Sequence, residues 1–338
     1  MTKMRMNQAI AKALEDEMRE DETVVIFGED IAVAGGPFKT SDGLLEQFGA
    51  ERVRDTPISE MGFLGAAVGA AATGLRPVAE IMFIEFLGVA LDQLVTEAAK
   101  FHYLSSGQYK VPLTIRASVG AGLGFGTQHS QTLESWLYGC PGLKLAAASD
   151  PQSAYSLLRS AIRDDNPVLV LEPRVLYSQR DDVVTGDSVV AELGKANVVS
   201  SGDDVTVIGF GSTVSTIKTA LDGAAFSAEI IDLQTLIPWD RETVMESVSK
   251  TGKLVLVEEN PKSFGWGTEI SSTISSELFN VLKTPILRIT APDVPIPFAK
   301  DLEERYLPNS TYVKSQIEEF LSTGNLPKSW WHEQKVGM

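Results

Sequence analysis

Residues 143–171, LKLAAASDPQSAYSLLRSAIRDDNPVLVL, decide the fold class. Leu143–Ala147 is a short apolar run that reads as a buried strand. Pro151–Arg163 reads as a helix with proline in its first turn, and Asn166-Pro167 is a stop signal ahead of a second apolar run, Val168–Leu171. Strand, helix and strand in succession are the unit of a parallel sheet wrapped by helices. The alternation continues upstream. Met6, Ile10, Leu14 and Met18 recur every four residues, as on one face of a helix, and Thr23–Phe27 follows as a strand. Glu60–Gly74 is a helix full of small residues, Val78–Phe83 a strand, Leu87–Leu104 helical, Leu113–Ala117 a strand, and Ala121–Ser130 a glycine-rich loop. Downstream, the charged, turn-rich stretch Arg180–Leu193 reads as a linker. Strands are then expected at Val205–Gly209, Ala228–Asp232, Leu254–Glu258 and Ile286–Ile289, with helices at Val214–Leu221 and Thr268–Leu282. The expectation is an α/β protein of two domains, residues 1–190 and a smaller one over 191–338 that ends in a peripheral tail.

Composition narrows the function. With 338 residues, 43% hydrophobic and 22% charged, the chain can bury a large core. The balance of 29 basic against 45 acidic residues, a net charge of −16, argues against nucleic-acid binding, which needs a basic face to neutralise phosphates. Solubility accounts for the acidity without a partner. The apolar stretch Met61–Leu75 lies between Glu60 and Arg76 and is too short to span a bilayer, so no membrane is expected. Cys140 is the single cysteine, which excludes an intrachain disulfide and fits a reducing compartment. The first residues carry acids and lack an apolar signal core, so a cytoplasmic setting is expected.

Several residues could carry chemistry. Glu60 opens the glycine- and alanine-rich helix in DTPISEMGFLGAAVG, where the helix dipole alone favours an acid. Gly65 and Gly69 each cost roughly 1 kcal/mol relative to alanine inside that helix. They suit close approach of another backbone, from a partner subunit or from the same domain. His129, after the glycine-rich loop, can titrate near neutral pH or be a plain surface imidazole. His102 sits in a helical stretch and reads as structural, and His332 lies in the tail. The sequence has no GxxxxGK[ST] phosphate loop, no His/Cys metal cluster and no GxSxG elbow.

At length, the residues look familiar. DTPISEMGFLGAAVGAAATGLRPVAEIMF, FGTQHSQTLESW, PGLKLAAASDPQSAYSLLRSAIRDDNPVLVLEP and APDVPIPFAKDLEERYLPN resemble, in the same order, the beta subunit of 2-oxo-acid and acetoin dehydrogenases, over about Met6 to Leu326. EIMFIEFLGVALDQ looks most like the acetoin-type branch. The resemblance implies a pyrimidine-binding parallel-sheet domain followed by a transketolase-like C-terminal domain. It also implies thiamine diphosphate and Mg²⁺ bound between subunits, an alpha subunit in an α2β2 heterotetramer, and a lipoyl-bearing acyltransferase as acceptor. By resemblance, Glu60 matches the acid at N1′ of the cofactor's aminopyrimidine, where burial keeps a carboxyl protonated and able to donate. Phe86 matches an aromatic beside that ring, and Ile58 and Met82 line the pocket, although apolar residues are ordinarily core. His129 matches a histidine at the mouth of the site. Ala161, Ile162, Asp164 and Asn166, with Leu113, resemble a potassium-binding loop; a helix C-terminus running into Asn-Pro explains the same residues.

One absence matters as much. Thiamine enzymes of this kind hold diphosphate and Mg²⁺ with a GDG segment followed by an NN pair, and neither occurs here. Half a cofactor site is implied, with the alpha subunit supplying the metal-holding half. NPKSFGWGTEIS is only loosely like the glycine-rich segment usual at its place, and the tail beyond Leu326 has no familiar counterpart. Two other readings stand beside the main one. The first is another transketolase-like subunit, for ketol transfer or a ferredoxin-linked oxidoreductase. The second is a non-catalytic assembly subunit, against which Glu60 and His129 speak.

Overall fold

The structure is a computed structural model that describes residues 1–329 and 331. The chain divides into two units: Met1–Val119 with Trp136–Leu193, and Gly120–Ser135 with the chain from Gly194 onward. In chain order the first unit contains β1 (Thr2–Arg5), α1 (Met6–Glu20), β2 (Val24–Gly28), α2 (Leu44–Phe48), β3 (Val53–Asp55), α3 (Glu60–Ala72), β4 (Arg76–Ile81), α4 (Leu87–Leu91), α5 (Ala99–Leu104), β5 (Thr114–Val119), β6 (Lys144–Ala147), α6 (Pro151–Arg163), β7 (Val168–Pro173) and β8 (Arg180–Val183). The second contains β9 (Asn197–Ser200), β10 (Val205–Gly209), α7 (Ser212–Leu221), β11 (Ala228–Asp232), β12 (Thr235–Ile237), α8 (Arg241–Thr251), β13 (Leu254–Pro261), α9 (Gly267–Glu277), β14 (Leu287–Ala291), α10 (Lys300–Tyr306) and α11 (Ser310–Thr323).

The sheet of the first unit runs β6-β7-β5-β4-β2-β3, all parallel. Its central strands β5 and β7 are buried along their whole length; Val168–Leu171 of β7 accordingly reads as a continuous apolar run, whereas β5 buries Thr114, Arg116 and Ser118 between its apolar residues. The face predicted for the first helix is buried: Met6, Ile10, Leu14 and Met18 of α1 join Ala154, Tyr155, Leu158 and Ile162 of α6 in one core. The buried Arg159 guanidinium donates to Glu17 at 2.6 Å and Glu20 at 2.8 Å, so two helices that share an apolar seam are also locked by charge. A second buried ion cluster crosses the sheet. Arg116 of β5 forks onto both oxygens of Glu172 at 2.7 and 2.9 Å and reaches Glu80 at 2.7 Å. The stretch expected to be a pure linker contributes β8, which pairs antiparallel with β1.

The sheet of the second unit runs β14-β13-β10-β11-β9, with β9 antiparallel at the edge and the rest parallel. Val205, Val207, Ile217, Val255, Val257, Ile317 and Phe320 form its core with α7 and α11. The α/β class with parallel sheets is therefore as expected. No helix among the described residues is long and apolar enough to cross a membrane.

Candidate active site

Strands β3, β2 and β4 are adjacent and parallel, so their carboxyl ends open on one edge of the sheet. This is the place where open α/β sheets take ligands. Two of the sequence-predicted segments leave the sheet there. Ile58 and Glu60 follow β3, while Met82 and Phe86 follow β4. The ends are held together by the Thr56 amide donating to the Gly28 carbonyl at 2.9 Å and the Ala32 amide donating to Asp55 at 2.8 Å. A Cβ on Gly28 would lie 2.9 Å from Ile31 and 3.1 Å from Glu80, so the strand end closes only with glycine.

Glu60 is the first residue of α3 and is buried. Glu29, directly after β2, is also buried, and one of its carboxyl oxygens has no hydrogen-bond partner among the described residues. Burial, followed by the charges of Glu60 and Asp30, pushes the Glu29 carboxyl up. Glu29 was missed from the sequence; its signal was an acid at the carboxyl end of a parallel strand, in GED. Ile58 is 86% exposed, which removes the core explanation for it. Met82 and Phe86 are half-buried, and the Phe86 ring meets Phe83 edge-on at 5.5 Å. The two helix glycines part company. A Cβ on Gly65 would meet Gln93 of the same unit at 2.9 Å, whereas one on Gly69 would have nothing within 4 Å.

His129 lies in the second unit, on the loop over 120–135. The Gly120 amide closes the base of the loop on the Gln131 carbonyl at 3.0 Å, and the His129 amide donates to the Gly126 carbonyl at 3.2 Å. The glycine-rich part of the loop is bound by side chains. Gly122 and Gly124 amides donate to the two oxygens of Glu303, each at 2.9 Å, and the Ala121 amide donates to Glu259 at 2.7 Å. Glu134, buried at the end of the loop, is pushed up to about 7 by burial, reinforced by Glu259 and Glu258 and opposed by the Thr132 hydroxyl. His102 is exposed on α5, with Nδ1 2.7 Å from the Tyr109 carbonyl oxygen; His332 lies outside the described residues.

The segment after α6 gathers oxygens. The Leu113 carbonyl accepts from the Val168 amide at 2.9 Å and the Ala161 carbonyl from the Asp164 amide at 3.3 Å. The Ile162 and Asp164 carbonyls both accept from Arg76 at 3.0 Å. Asn166 donates backbone and side-chain N–H to Asp164 at 2.9 and 3.0 Å. Each carbonyl keeps a second lone pair, so the oxygen set is compatible with a hard cation, and the same bonds equally make a helix stop. Among the described residues, no group of three or more His, Cys, Asp or Glu side chains is placed to hold a metal.

Comparison with known proteins follows this geometry. Residues 2–179 match the transketolase pyrimidine binding domain and residues 194–313 the transketolase C-terminal domain. The chain is 43% identical over 321 residues to the pyruvate dehydrogenase E1 component subunit beta of Rhizobium meliloti, covering 94% of this chain and 70% of that one. It is 39% identical over 334 residues to the Bacillus subtilis acetoin:2,6-dichlorophenolindophenol oxidoreductase subunit beta, covering 94% and 96%. To the 2-oxoisovalerate dehydrogenase subunit beta of the same organism it is 39% identical over 323 residues, covering 94% and 99%. Among solved structures, a split-gene transketolase superposes with a TM-score of 0.76 at 24% identity, covering 94% of this chain and 98% of that one. A Pichia stipitis transketolase gives 0.69 at 16% identity, covering 95% and 46%. The chain belongs to the transketolase-like family that contains the beta subunits of 2-oxo-acid and acetoin dehydrogenases.

Proposed function

We propose that this chain is the beta half of a thiamine-diphosphate-dependent dehydrogenase component, active with an alpha subunit in an α2β2 assembly on acetoin, pyruvate or a related 2-oxo acid. Residues 1–190 act as the pyrimidine-binding domain and 191–338 as the C-terminal domain. The observation that carries this reading is the buried pair Glu60 and Glu29 at the carboxyl ends of β3 and β2, beside the exposed Ile58 and half-buried Met82 and Phe86. A flat heteroaromatic ring with one basic nitrogen needs such a setting: apolar contacts for its faces and one buried acid to donate at the nitrogen. When bound, thiamine diphosphate supplies the nucleophilic carbon that bonds to the substrate carbonyl.

This chain's residues then have distinct tasks. Glu60 holds a proton at the pyrimidine nitrogen, and a negative charge on the neighbouring Glu29 would oppose its loss. Phe86, Met82 and Ile58 exclude water from the ring. His129 serves the transfer of the acyl unit to a lipoyl group on an acyltransferase. It supplies a proton to the sulfur that leaves when the lipoyl S–S bond opens and the other sulfur bonds to the acyl carbon. The diphosphate and Mg²⁺ fall to the alpha subunit, because the amides of the glycine-rich loop are taken by Glu303 and Glu259. Potassium at Leu113, Ala161, Ile162, Asp164 and Asn166 would bind through oxygen alone; it predicts a higher melting temperature in potassium than in choline buffer, and equal melting argues for the helix stop. The single buried Cys140 is in keeping with the cytoplasm.

The test is dye reduction by the co-purified alpha–beta pair with thiamine diphosphate and Mg²⁺, offered acetoin, pyruvate, 2-oxobutyrate and branched 2-oxo acids in turn. Turnover on one of them fixes the substrate. No turnover on any, with the cofactor bound, removes the reading.

A further inference from the structure

We propose that Glu303 is a positioning residue for His129: its carboxylate fills the amide cradle of the His129 loop and thereby sets where the imidazole stands. The inference rests on the role proposed above for His129 and adds the device that holds it.

Gly120, Gly122, Gly124 and Gly126 all have positive φ, at +95°, +103°, +71° and +75°. Left-handed residues at alternate positions turn successive N–H groups toward one side, which makes a concave anion-binding nest. In many proteins such a nest takes a phosphate. Here the anion comes from the chain itself. Glu303, on the short helix α10, is 2% exposed, and its two oxygens receive the Gly122 and Gly124 amides at 2.9 Å each. No lysine or arginine among the described residues forms an ion pair with it, so the charge of a buried carboxylate is met by backbone dipoles. The placement of α10 is itself fixed. The Glu303 amide donates to the Ala299 carbonyl at 2.9 Å, and Tyr306, one turn on, packs in a small core with Ala121, Ala291 and Ile296.

The loop is therefore pinned on both sides of the histidine. Before it, Ala121, Gly122 and Gly124 amides end on two carboxylates. Next to it, the Thr127 hydroxyl donates to the Ile296 carbonyl at 2.6 Å, and beyond it Gln131 closes onto Gly120. Each oxygen of Glu303 only accepts. A glutamine keeps one acceptor and turns an NH₂ group toward the other amide, and an alanine leaves the nest empty.

The test uses the alpha–beta complex carrying Glu303→Gln or Glu303→Ala, with wild type and His129→Ala as references. The ratio of lipoamide acylation to dye reduction is expected to fall about tenfold or more in both Glu303 variants, as a displaced catalytic group demands. Added formate or acetate, small enough to enter the vacated nest, is expected to restore the ratio in Glu303→Ala and to leave His129→Ala unchanged. A second readout needs no turnover: the ring Cε1–H signal of His129, one of three histidines, should shift in Glu303→Ala and return with acetate, while that of His102 stays. An unchanged His129 signal overturns the proposal whatever the reaction is. So does parallel loss of both activities without anion rescue, which would make Glu303 a packing residue. Loss of wild-type turnover on every substrate would instead remove the functional reading and leave the His129 signal to decide the clamp.

Discussion

At Glu60 the proposed chemistry depends on a proton, not on a charge. Glu60→Gln keeps the shape and one donor but cannot exchange a proton with the ring nitrogen, so turnover at saturating cofactor should fall at least about 100-fold. Near-normal turnover would assign Glu60 to the helix dipole alone. Glu134 gives a pH prediction. Its carboxyl is pushed up from 4.5 to about 7 by burial first, with Glu259 and Glu258 facing it and Glu258 itself paired to Arg288. An acid raised on folding supports the native state fully below its unfolded value, and that support is lost as the pH rises toward the folded value. Roughly 3 kcal/mol should therefore drain away between about pH 4.5 and 7. Urea unfolding across that range should show the slope in wild type and a flatter one in Glu134→Gln; equal slopes would count against it. Much of this was invisible in the sequence for a geometric reason. Glu60 was noticed at a local helix start, where the dipole alone explains an acid, and its proposed role came only from the family resemblance. Glu29 carried only the weak local signal of an acid at a strand end, and Glu303 carried none, because what makes them matter lies far along the chain, at Glu60 and at Gly122 and Gly124.

Among the elements, α6 was legible to its ends because the signals are adjacent in the chain. Asp150 caps the Ser153 amide at 2.7 Å, Ser153 returns the bond to the Asp150 amide at 3.0 Å, and Pro151 opens the first turn. Asp150→Ala should cost about 1 kcal/mol, visible as a lower melting temperature. Gly142→Ala should cost more, since φ is +98° there and a Cβ would sit 1.9 Å from the Ala99 carbonyl oxygen. A variant that folds with unchanged stability would show that the backbone can move aside. Periodicity fails where length or pairing decides. Residues 87–104 read as one helix, and they are helical, but Asp92–Ala98 is wound as π-helix between α4 and α5. Strand β8 hid in a charged stretch because its partner β1 is an edge strand with little to bury, so no apolar alternation marks either. Helix α8 carries a weaker apolar stripe than α1, and it was not anticipated.

For the molecule as a whole, the buried ion cluster and the open helix face make opposite demands. Arg116→Met would leave Glu80 and Glu172 buried without their cation, a loss of about 3–5 kcal/mol by chemical denaturation; a small loss would mean the two acids simply take up protons. Gly69→Ala should add roughly 1 kcal/mol to the isolated chain, since alanine is the better helix former and nothing lies within 4 Å. If a partner subunit covers that face, the same change should weaken assembly, so stability and association would move in opposite directions. Gains in both would leave Gly69 without a partner to explain it. Cys140 carries a practical consequence. It is the one thiol in the chain, it is 6% exposed, and burial pushes it up, away from the reactive thiolate. A single cysteine introduced at an exposed position such as Tyr103 would therefore take a maleimide dye far faster than the native thiol. A fluorophore could then report docking of the other subunits with the natural cysteine left in place.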